Sequence, residues 1–116
     1  MSNLTRVNVA KRLSDMAVYN GVAYLAGQVA DDATQDITGQ TTQILTAIDK
    51  LLATAGTDKT RLLMVQIFVA NMKEFDGMNK AWDAWVPAGH APPRATIEAR
   101  LASADYKVEI VVTAAV

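Results

Sequence analysis

Two charged side chains in the last quarter of this 116-residue chain, Arg94 and Glu109, could take part in chemistry. Arg94 follows two prolines and begins a stretch in which polar and apolar residues alternate, whereas Glu109 is the single charge in a mostly apolar run at the C-terminus. A guanidinium is planar and always charged, so it can bind a carboxylate through two parallel hydrogen bonds. A carboxylate can hold water or accept a proton. By residue type alone, an arginine at such a place is more often a surface charge. Whether Arg94 belongs to a functional site therefore depends on the elements that surround it.

Both charges lie in stretches that predict β-strands. From Arg94 to Leu101 polar and apolar residues alternate without a break, which is the period of a strand with one buried face. The run 108–116 is largely β-branched and apolar, which predicts a strand buried on both faces. The segment 102–107 can turn the chain, so the two strands are expected to form an antiparallel hairpin. The polar face of the first strand carries Arg94, Thr96, Glu98 and Arg100.

The expected hairpin keeps the two charges apart. If Leu101 lies opposite Val108, Glu109 lies opposite Arg100 and about six strand positions, roughly 20 Å, from Arg94. The simplest role for Glu109 is then a cross-strand ion pair with Arg100, which contributes about a few tenths of a kcal/mol when it is exposed. If Arg94 and Glu109 nevertheless serve one site, the second of them has to come from another subunit.

The N-terminal third predicts further strands. Residues 7–9 favour a short edge strand, and a loop is expected over 11–15. Asn20-Gly21 separates two β-prone runs, which is typical of a hairpin with a type I′ turn. Gly27 interrupts the second of these strands, 22–29, and a glycine there indicates a bulge or a close approach to the backbone.

Two helices are predicted in the middle of the chain. Residues 39–55 follow the 3.6-residue period, with Thr38 as the N-cap and Gly56 just past the C-terminus. The second helix is predicted from about residue 73 to Trp85, with Asn71 as its cap and a proline after its end. Its apolar stripe is more typical of packing than of a cofactor site and consists of Phe75, Met78, Trp82 and Trp85.

The order of elements indicates the fold class. The run 62–69 is apolar on both faces, which predicts a central strand between the helices. The predicted order is strand, strand, helix, strand, helix, strand, strand. This order indicates one α+β domain over residues 1–116, a sandwich with two helices on one face of a mixed sheet. The other face needs an apolar cover, and self-association of the sheet is the simplest one.

Composition narrows the classes of function. Hydrophobic residues make up 51% of the chain and its net charge is −1, which fits a folded domain without a basic surface for nucleic acid. The chain has no cysteine and one histidine, His90, so no metal site is expected; His90 is either a solvated loop residue or the border of a site. The N-terminus is unlike a signal peptide and no apolar run could span a membrane, so a soluble cytoplasmic protein is expected.

Two motifs near the C-terminus, Pro93-Arg94-Ala95-Thr96-Ile97-Glu98-Ala99 and Val108-Glu109-Ile110, resemble those of the RidA (YjgF/L-PSP) family of enamine/imine deaminases. The resemblance extends from about Lys11 to the end of the chain. It implies a fold like that of the trimeric chorismate mutases, in which three sheets close into a central barrel, the helices lie outside and three clefts lie between subunits. It therefore implies a homotrimer. No cofactor is expected, and the lack of a metal site follows from composition as stated above.

The resemblance also assigns roles to residues. Arg94 would bind the carboxylate of a 2-imino or 2-keto acid. The backbone N–H of Thr96 and the backbone near Gly27 would line the same pocket. Glu109 would orient or activate water, and Asn79 in the second helix matches a family asparagine.

One feature of the family is missing. Members with deaminase activity carry a tyrosine in the loop before the first strand, and its position falls at or near Leu13, with Arg12 and Ser14 beside it. Tyr19 lies several residues too late to replace it. Arg12 and Ser14 could take its place in a pocket of different shape, so the chain resembles a divergent subgroup.

Two functions follow from these observations. The first is hydrolysis of reactive enamines or imines to 2-keto acids and ammonia in a cleft between subunits, with Arg94 holding the substrate and Glu109 handling water. The alternative is a non-catalytic module that binds or senses a small carboxylate, which the missing tyrosine favours. A ribonuclease activity lacks a basic stripe to support it, and a chorismate-mutase-like activity would rest on fold alone.

Overall fold

A computed structural model describes residues 3–116; residues 1 and 2 of the predicted single domain lie outside the described residues. In chain order the strands and helices are β1 (Thr5–Val9), β2 (Ser14–Tyr19), β3 (Val22–Leu25), α1 (Ile37–Thr54), β4 (Leu62–Val69), α2 (Phe75–Trp85), β5 (Arg94–Glu98) and β6 (Val108–Ala115). Short 3-10 helices, Lys59–Arg61 and Met72–Glu74, precede β4 and α2. The two helices and the mixed sheet confirm the predicted α+β class, and β1 adds a sixth strand to the predicted order.

The strands form one sheet in the order β1-β2-β3-β6-β4-β5. Only β4 and β5 run parallel, joined through α2, and the other neighbours are antiparallel. The predicted hairpin of the last two strands is therefore wrong, because β4 lies between β5 and β6. The alternation along each run identified a strand correctly, but it carries no information about which strand is its partner. The predicted Arg100–Glu109 pair is wrong for the same reason, since Glu109 lies opposite Phe68 and Arg100 follows the end of β5.

Arg94 and Glu109 remain apart in this topology. Arg94 pairs with Val65 of β4, and Glu109 pairs with Phe68 three positions further along the same strand. Three positions along the strands and two strand spacings across them correspond to about 14 Å. Because Val65 and Phe68 are an odd number of positions apart, the two charged side chains also lie on opposite faces of the sheet.

The N-terminal strands form as predicted around Asn20-Gly21. Both residues have positive φ angles, 50° and 77°, as a type I′ turn requires. β1 is the expected edge strand, and it pairs with β2. The predicted loop at 11–15 is shorter, because β2 already begins at Ser14.

Local hydrogen bonds set the ends of the helices. α1 begins two residues earlier than predicted, because Asp36 and not Thr38 is its N-cap and accepts a bond from the Gly39 amide at 2.8 Å. Thr38 instead donates to the carbonyl of Gly77 in α2, at 2.7 Å, and joins the two helices. Gly56 follows the helix with φ 79°, as expected for its position.

The helices pack on one face of the sheet and leave the other face open. The core between them contains Val65, Ile67 and Val69 of β4 and alternate residues of β6, all buried. On the open face Tyr24, Met64 and Ile97 are 51%, 44% and 46% exposed. In a single chain β6 is therefore buried on one face and half-buried on the other. The predicted burial of β6 on both faces would require another surface to cover the open side. Neither helix within residues 3–116 is long and apolar enough to cross a membrane.

Candidate functional site

Arg94 is held on the helix side of the sheet by three side chains of α2. It is the first residue of β5, so the sheet fixes its backbone while its side chain extends toward the helix. One guanidinium nitrogen, Nη1, donates to Oδ1 of Asn79 at 2.8 Å. The guanidinium carbon lies 5.2 Å from the ring centre of Trp82 and 5.9 Å from that of Phe75. We call this cluster of Arg94, Asn79, Trp82 and Phe75 the arginine pocket.

The arginine pocket fixes a positive charge without neutralising it. Asn79 is uncharged, and the aromatic faces attract a cation without accepting its protons in strong hydrogen bonds. No carboxylate among residues 3–116 pairs with Arg94. A guanidinium has five N–H donors, so most of them are left for a ligand. A half-buried arginine in this condition favours the binding of an anion.

A cleft of about 560 Å³ opens beside the arginine pocket. Arg94 and Thr96 form one wall, and the start of α2 with the 3-10 helix before it forms the other, which carries one cation, Lys73, and one carboxylate, Asp76. Thr96 lies two residues after Arg94 on the same face of β5, and its hydroxyl oxygen is buried without a hydrogen-bond partner within residues 3–116. The predicted residues Arg94, Thr96 and Asn79 therefore come together in one place.

Gly27 and Glu109 meet at a second place, which we call the glutamate edge. From the pair Tyr24–Thr113 to the pair Gln28–Ile110, the first segment advances four residues and the second only three. The extra residue forms a bulge next to Gly27, which is one of the two features that a glycine at this position predicted. A Cβ atom on Gly27 would lie 2.9 Å from Cδ of Glu109 and still closer to its carboxylate oxygen. The glycine is thus needed for the glutamate to lie against the backbone.

Glu109 is an unpartnered carboxylate in a single chain. It lies on the open face, half-buried, opposite Phe68 of β4. It accepts no hydrogen bond and forms no ion pair with any residue in the described part of the chain. The Gln28 and Ile110 backbones exchange two hydrogen bonds, of 2.8 and 3.1 Å, directly beside it. The pairing with β4 holds its backbone on one side and this single bridge on the other, while its carboxylate remains available.

The remaining predicted residues lie away from the arginine pocket. Ser14 begins β2, and continuing the β2–β3 register places it beside Gly27 at the glutamate edge. Arg12 is exposed in the preceding turn, and Leu13, at the position of the missing tyrosine, is 58% exposed. His90 lies exposed in the loop after α2 and adds slightly to the lowering of the pKa of Asp58, which two hydrogen bonds from Thr60 chiefly cause.

The sequence alone missed the second function of two aromatic side chains. Phe75 and Trp82 were expected to serve packing, and Trp82 does lie in the core, yet both also face the Arg94 guanidinium. The alternation along β5 placed Arg94 and Thr96 on one face, but it could not show that α2 covers that face. The aromatic stripe of the second helix, together with an arginine at the start of the next strand, is the sequence pattern that would have indicated this covering.

Comparison with known proteins places the chain among close relatives. A family model described as Endoribonuclease L-PSP matches residues 4–116. A RutC family protein of Haemophilus ducreyi is 54% identical over 113 residues, covering 97% of each chain. The RutC family protein YoaB of Escherichia coli is 42% identical over 113 residues, which cover 97% of this chain and 98% of that one.

Solved structures agree with these relatives. An uncharacterized protein from Pseudomonas aeruginosa superimposes with a TM-score of 0.95 at 42% identity, covering 97% of this chain and 98% of the other. A member of the YjgF protein family from Neisseria meningitidis has a TM-score of 0.95 at 37% identity, with coverages of 97% and 94%. Full-length agreement in sequence and in fold shows that this chain belongs to the YjgF/L-PSP family, also called the RutC and RidA family.

Proposed function

We propose that this protein hydrolyses reactive enamine or imine intermediates to 2-keto acids and ammonia, in a cleft between two subunits of a cytoplasmic homotrimer. The observation that carries the proposal is the arginine pocket, where a half-buried guanidinium is oriented and yet unpaired within the described chain. A 2-imino acid presents a planar carboxylate next to the reacting carbon. Binding that carboxylate bidentately would therefore orient the carbon as well.

The reaction needs one water molecule and one proton relay. Water adds to the carbon of the C=N bond, and the product carries a hydroxyl and an amine on the same carbon. Loss of ammonia from that intermediate forms the C=O bond of the 2-keto acid. Glu109 would pass two protons in turn from oxygen to nitrogen, the first from the attacking water to the imine nitrogen and the second from the hydroxyl to the departing amine, so the carboxylate ends unchanged. No electrons are transferred overall, and the balance requires no co-reactant besides water.

Two subunits are needed to combine these groups. Arg94 and Glu109 of one chain are separated by about 14 Å and lie on opposite faces of the sheet. The open face also exposes large apolar side chains, and self-association would cover them. The proposed trimer therefore supplies Glu109 from a neighbouring subunit. Light scattering should give a mass of about three chains of 12.5 kDa; a monomer at micromolar concentration would contradict the proposal.

Turnover of 2-iminobutanoate tests the catalytic proposal. The imine is generated in the assay from an amino acid, and release of 2-ketobutyrate is followed with and without protein. We expect Arg94→Ala to lower kcat/KM by roughly 100-fold or more, because the substrate loses its charge-assisted anchor. Arg94→Lys is the matched control, and it should recover only part of this loss because lysine cannot bind in the bidentate manner. Wild-type release no faster than in buffer would contradict the proposal.

A second candidate is a non-catalytic module for the same small carboxylates. This candidate is favoured by Leu13, an exposed apolar residue at or near the position where the deaminases of the family carry a tyrosine. Binding would need the arginine pocket alone. In that case 2-ketobutyrate would raise the melting temperature of the wild type but not of Arg94→Ala, while no imine turnover would be measured.

A further inference from the structure

Gln40, in the first turns of α1, has a completely buried side chain that makes four hydrogen bonds. The two N–H groups of its amide are shared among the carbonyls of Ala33, Gln35 and Asp105, each 3.1 Å from the amide nitrogen. Its amide oxygen accepts from the backbone N–H of Lys107 at 3.0 Å. All four partners are backbone groups of non-helical segments, so the side chain acts as a clamp between α1 and two loops.

The two clamped loops flank the glutamate edge. One is the loop 31–36, which begins three residues after Gln28, whose backbone is bonded to Ile110 beside Glu109. The other is the segment that leads into β6, where Lys107 lies two residues before Glu109. The carbonyl of Lys107 is held as well, by the N–H of Ala70 at 3.0 Å. Gln40 therefore joins the chain segments on both sides of the Gly27–Glu109 contact.

The sheet alone leaves this contact weakly supported on one side. β6 pairs with β4 along its whole length, but its pairing with β3 is interrupted by the bulge and resumes only in the single bridge between Gln28 and Ile110. The distance between the Glu109 carboxylate and the Gly27 backbone consequently depends on how the two loops are anchored. A displacement of about 1 Å in a catalytic group can cost on the order of 100-fold in rate.

We propose that Gln40 is a positioning residue that sets the location of the Glu109 carboxylate against Gly27, and the proposal rests on the hydrolytic function proposed above. Gln40 does not line the cleft beside Arg94. Its loss should therefore affect the water-handling half of the site and leave the carboxylate anchor intact.

Two variants of different severity test this role in the full-length protein. Gln40→Met has nearly the same length but loses all four hydrogen bonds, and we expect kcat for 2-iminobutanoate to fall about tenfold or more. Gln40→Asn keeps the amide but is one methylene group shorter, so it can reach only some of the four backbone partners, and its kcat should lie between those of Gln40→Met and the wild type. KM should change by less than about twofold in both, since Arg94 is untouched. If Gln40→Met does not fold, the kcat and KM of Gln40→Asn decide by themselves.

Gln43 supplies the matched control. It lies one turn further along α1, and its side chain bonds the N–H and carbonyl of Asp32, at 2.9 and 3.2 Å, in the same loop. It has no bond to the segment before β6 among the described residues. Gln43→Met should therefore keep kcat within about twofold of the wild type. An equal loss in Gln43→Met would show that only general loop stability matters, and it would overturn the positioning role.

Hydrogen exchange separates this inference from the proposed function. In the absence of substrate, exchange at the Lys107 amide should be faster in Gln40→Met than in the wild type and unchanged in Gln43→Met. Unchanged exchange, or an unchanged kcat in both Gln40 variants, would overturn the inference even where the wild type is active. Wild-type protein without turnover would instead refute the hydrolytic function, whatever the exchange shows.

Discussion

The arginine pocket and the glutamate edge differ in how complete they are within one chain. Arg94 is oriented by an amide and two aromatic rings and lies beside a formed cleft. Glu109 lies against Gly27 on an open apolar face, without a partner for its carboxylate among residues 3–116. A single chain therefore completes the surroundings of Arg94 and leaves those of Glu109 incomplete; under the proposed function these are the anion-binding half and the water-handling half of the site.

The difference follows from which face of the sheet each residue occupies. α2 covers the face on which Arg94 lies, so side chains of the same chain can surround the guanidinium. Within residues 3–116 no helix covers the face on which Glu109 lies, and its neighbours there are residues of adjacent strands, such as Phe68. Groups on a helix-covered face can be organised by one chain, whereas groups on the open face depend on what packs there.

The largest expected effect comes from mixing two inactive variants. Arg94→Ala and Glu109→Gln should each be nearly inactive alone, because one lacks the anchor and the other lacks the proton acceptor. Co-expressed in equal amounts with different tags, they should recover about a third of wild-type turnover in the trimers that carry both tags, because one of the three clefts in each such trimer has both residues intact. The measurement is 2-ketobutyrate release by the doubly tagged fraction.

The mixing result distinguishes the two arrangements directly. If both residues of a site came from the same chain, no mixed trimer would contain an intact site, and turnover would stay at the level of the separate variants. The separately purified variants, mixed after folding without exchange of subunits, serve as the control. Recovery in that control would point to contamination and not to shared clefts.

A smaller effect is expected when the neutral partner of Arg94 becomes charged. Asn79→Asp would place a carboxylate where Oδ1 now accepts from the guanidinium at 2.8 Å, and this carboxylate would compete with the substrate. We expect the affinity for 2-ketobutyrate to fall by roughly tenfold or more. Asn79→Ala removes only one hydrogen bond and should cost only a few-fold. Calorimetric titration measures both, and equal affinities in the two variants would contradict an anion site at Arg94.

The smallest effect is expected at the glutamate edge itself. Gly27→Ala should push the Glu109 side chain away, since the new methyl group would overlap its carboxylate. We expect kcat to fall several-fold, while 2-ketobutyrate binding is unchanged because Arg94 is not affected. In the Glu109→Gln background the same substitution should have no further effect on kcat, because the group it displaces has already lost its function. Additive losses would show that Gly27 acts through something other than Glu109.

Local patterns in the sequence predicted most elements and the types of the candidate residues. The alternation from Arg94 onward, the Asn20-Gly21 turn and the apolar period of α1 each reflect interactions between residues close in sequence. Local patterns gave a wrong result where two residues close in sequence could both have served as the N-cap, as at the start of α1. There Asp36, two residues before Thr38, has the better position to accept the Gly39 amide.

The sequence by itself determined which segments are strands and helices, which residues could bind an anion or handle a proton, and that Gly27 marks either a bulge or a close approach to the backbone. Only the tertiary structure decided that β4 separates β5 from β6, that α2 surrounds Arg94, and that Glu109 lies on the opposite, open face. The physical reason is that every strand offers the same backbone donors and acceptors to a neighbour, so partner choice depends on packing between residues distant in sequence.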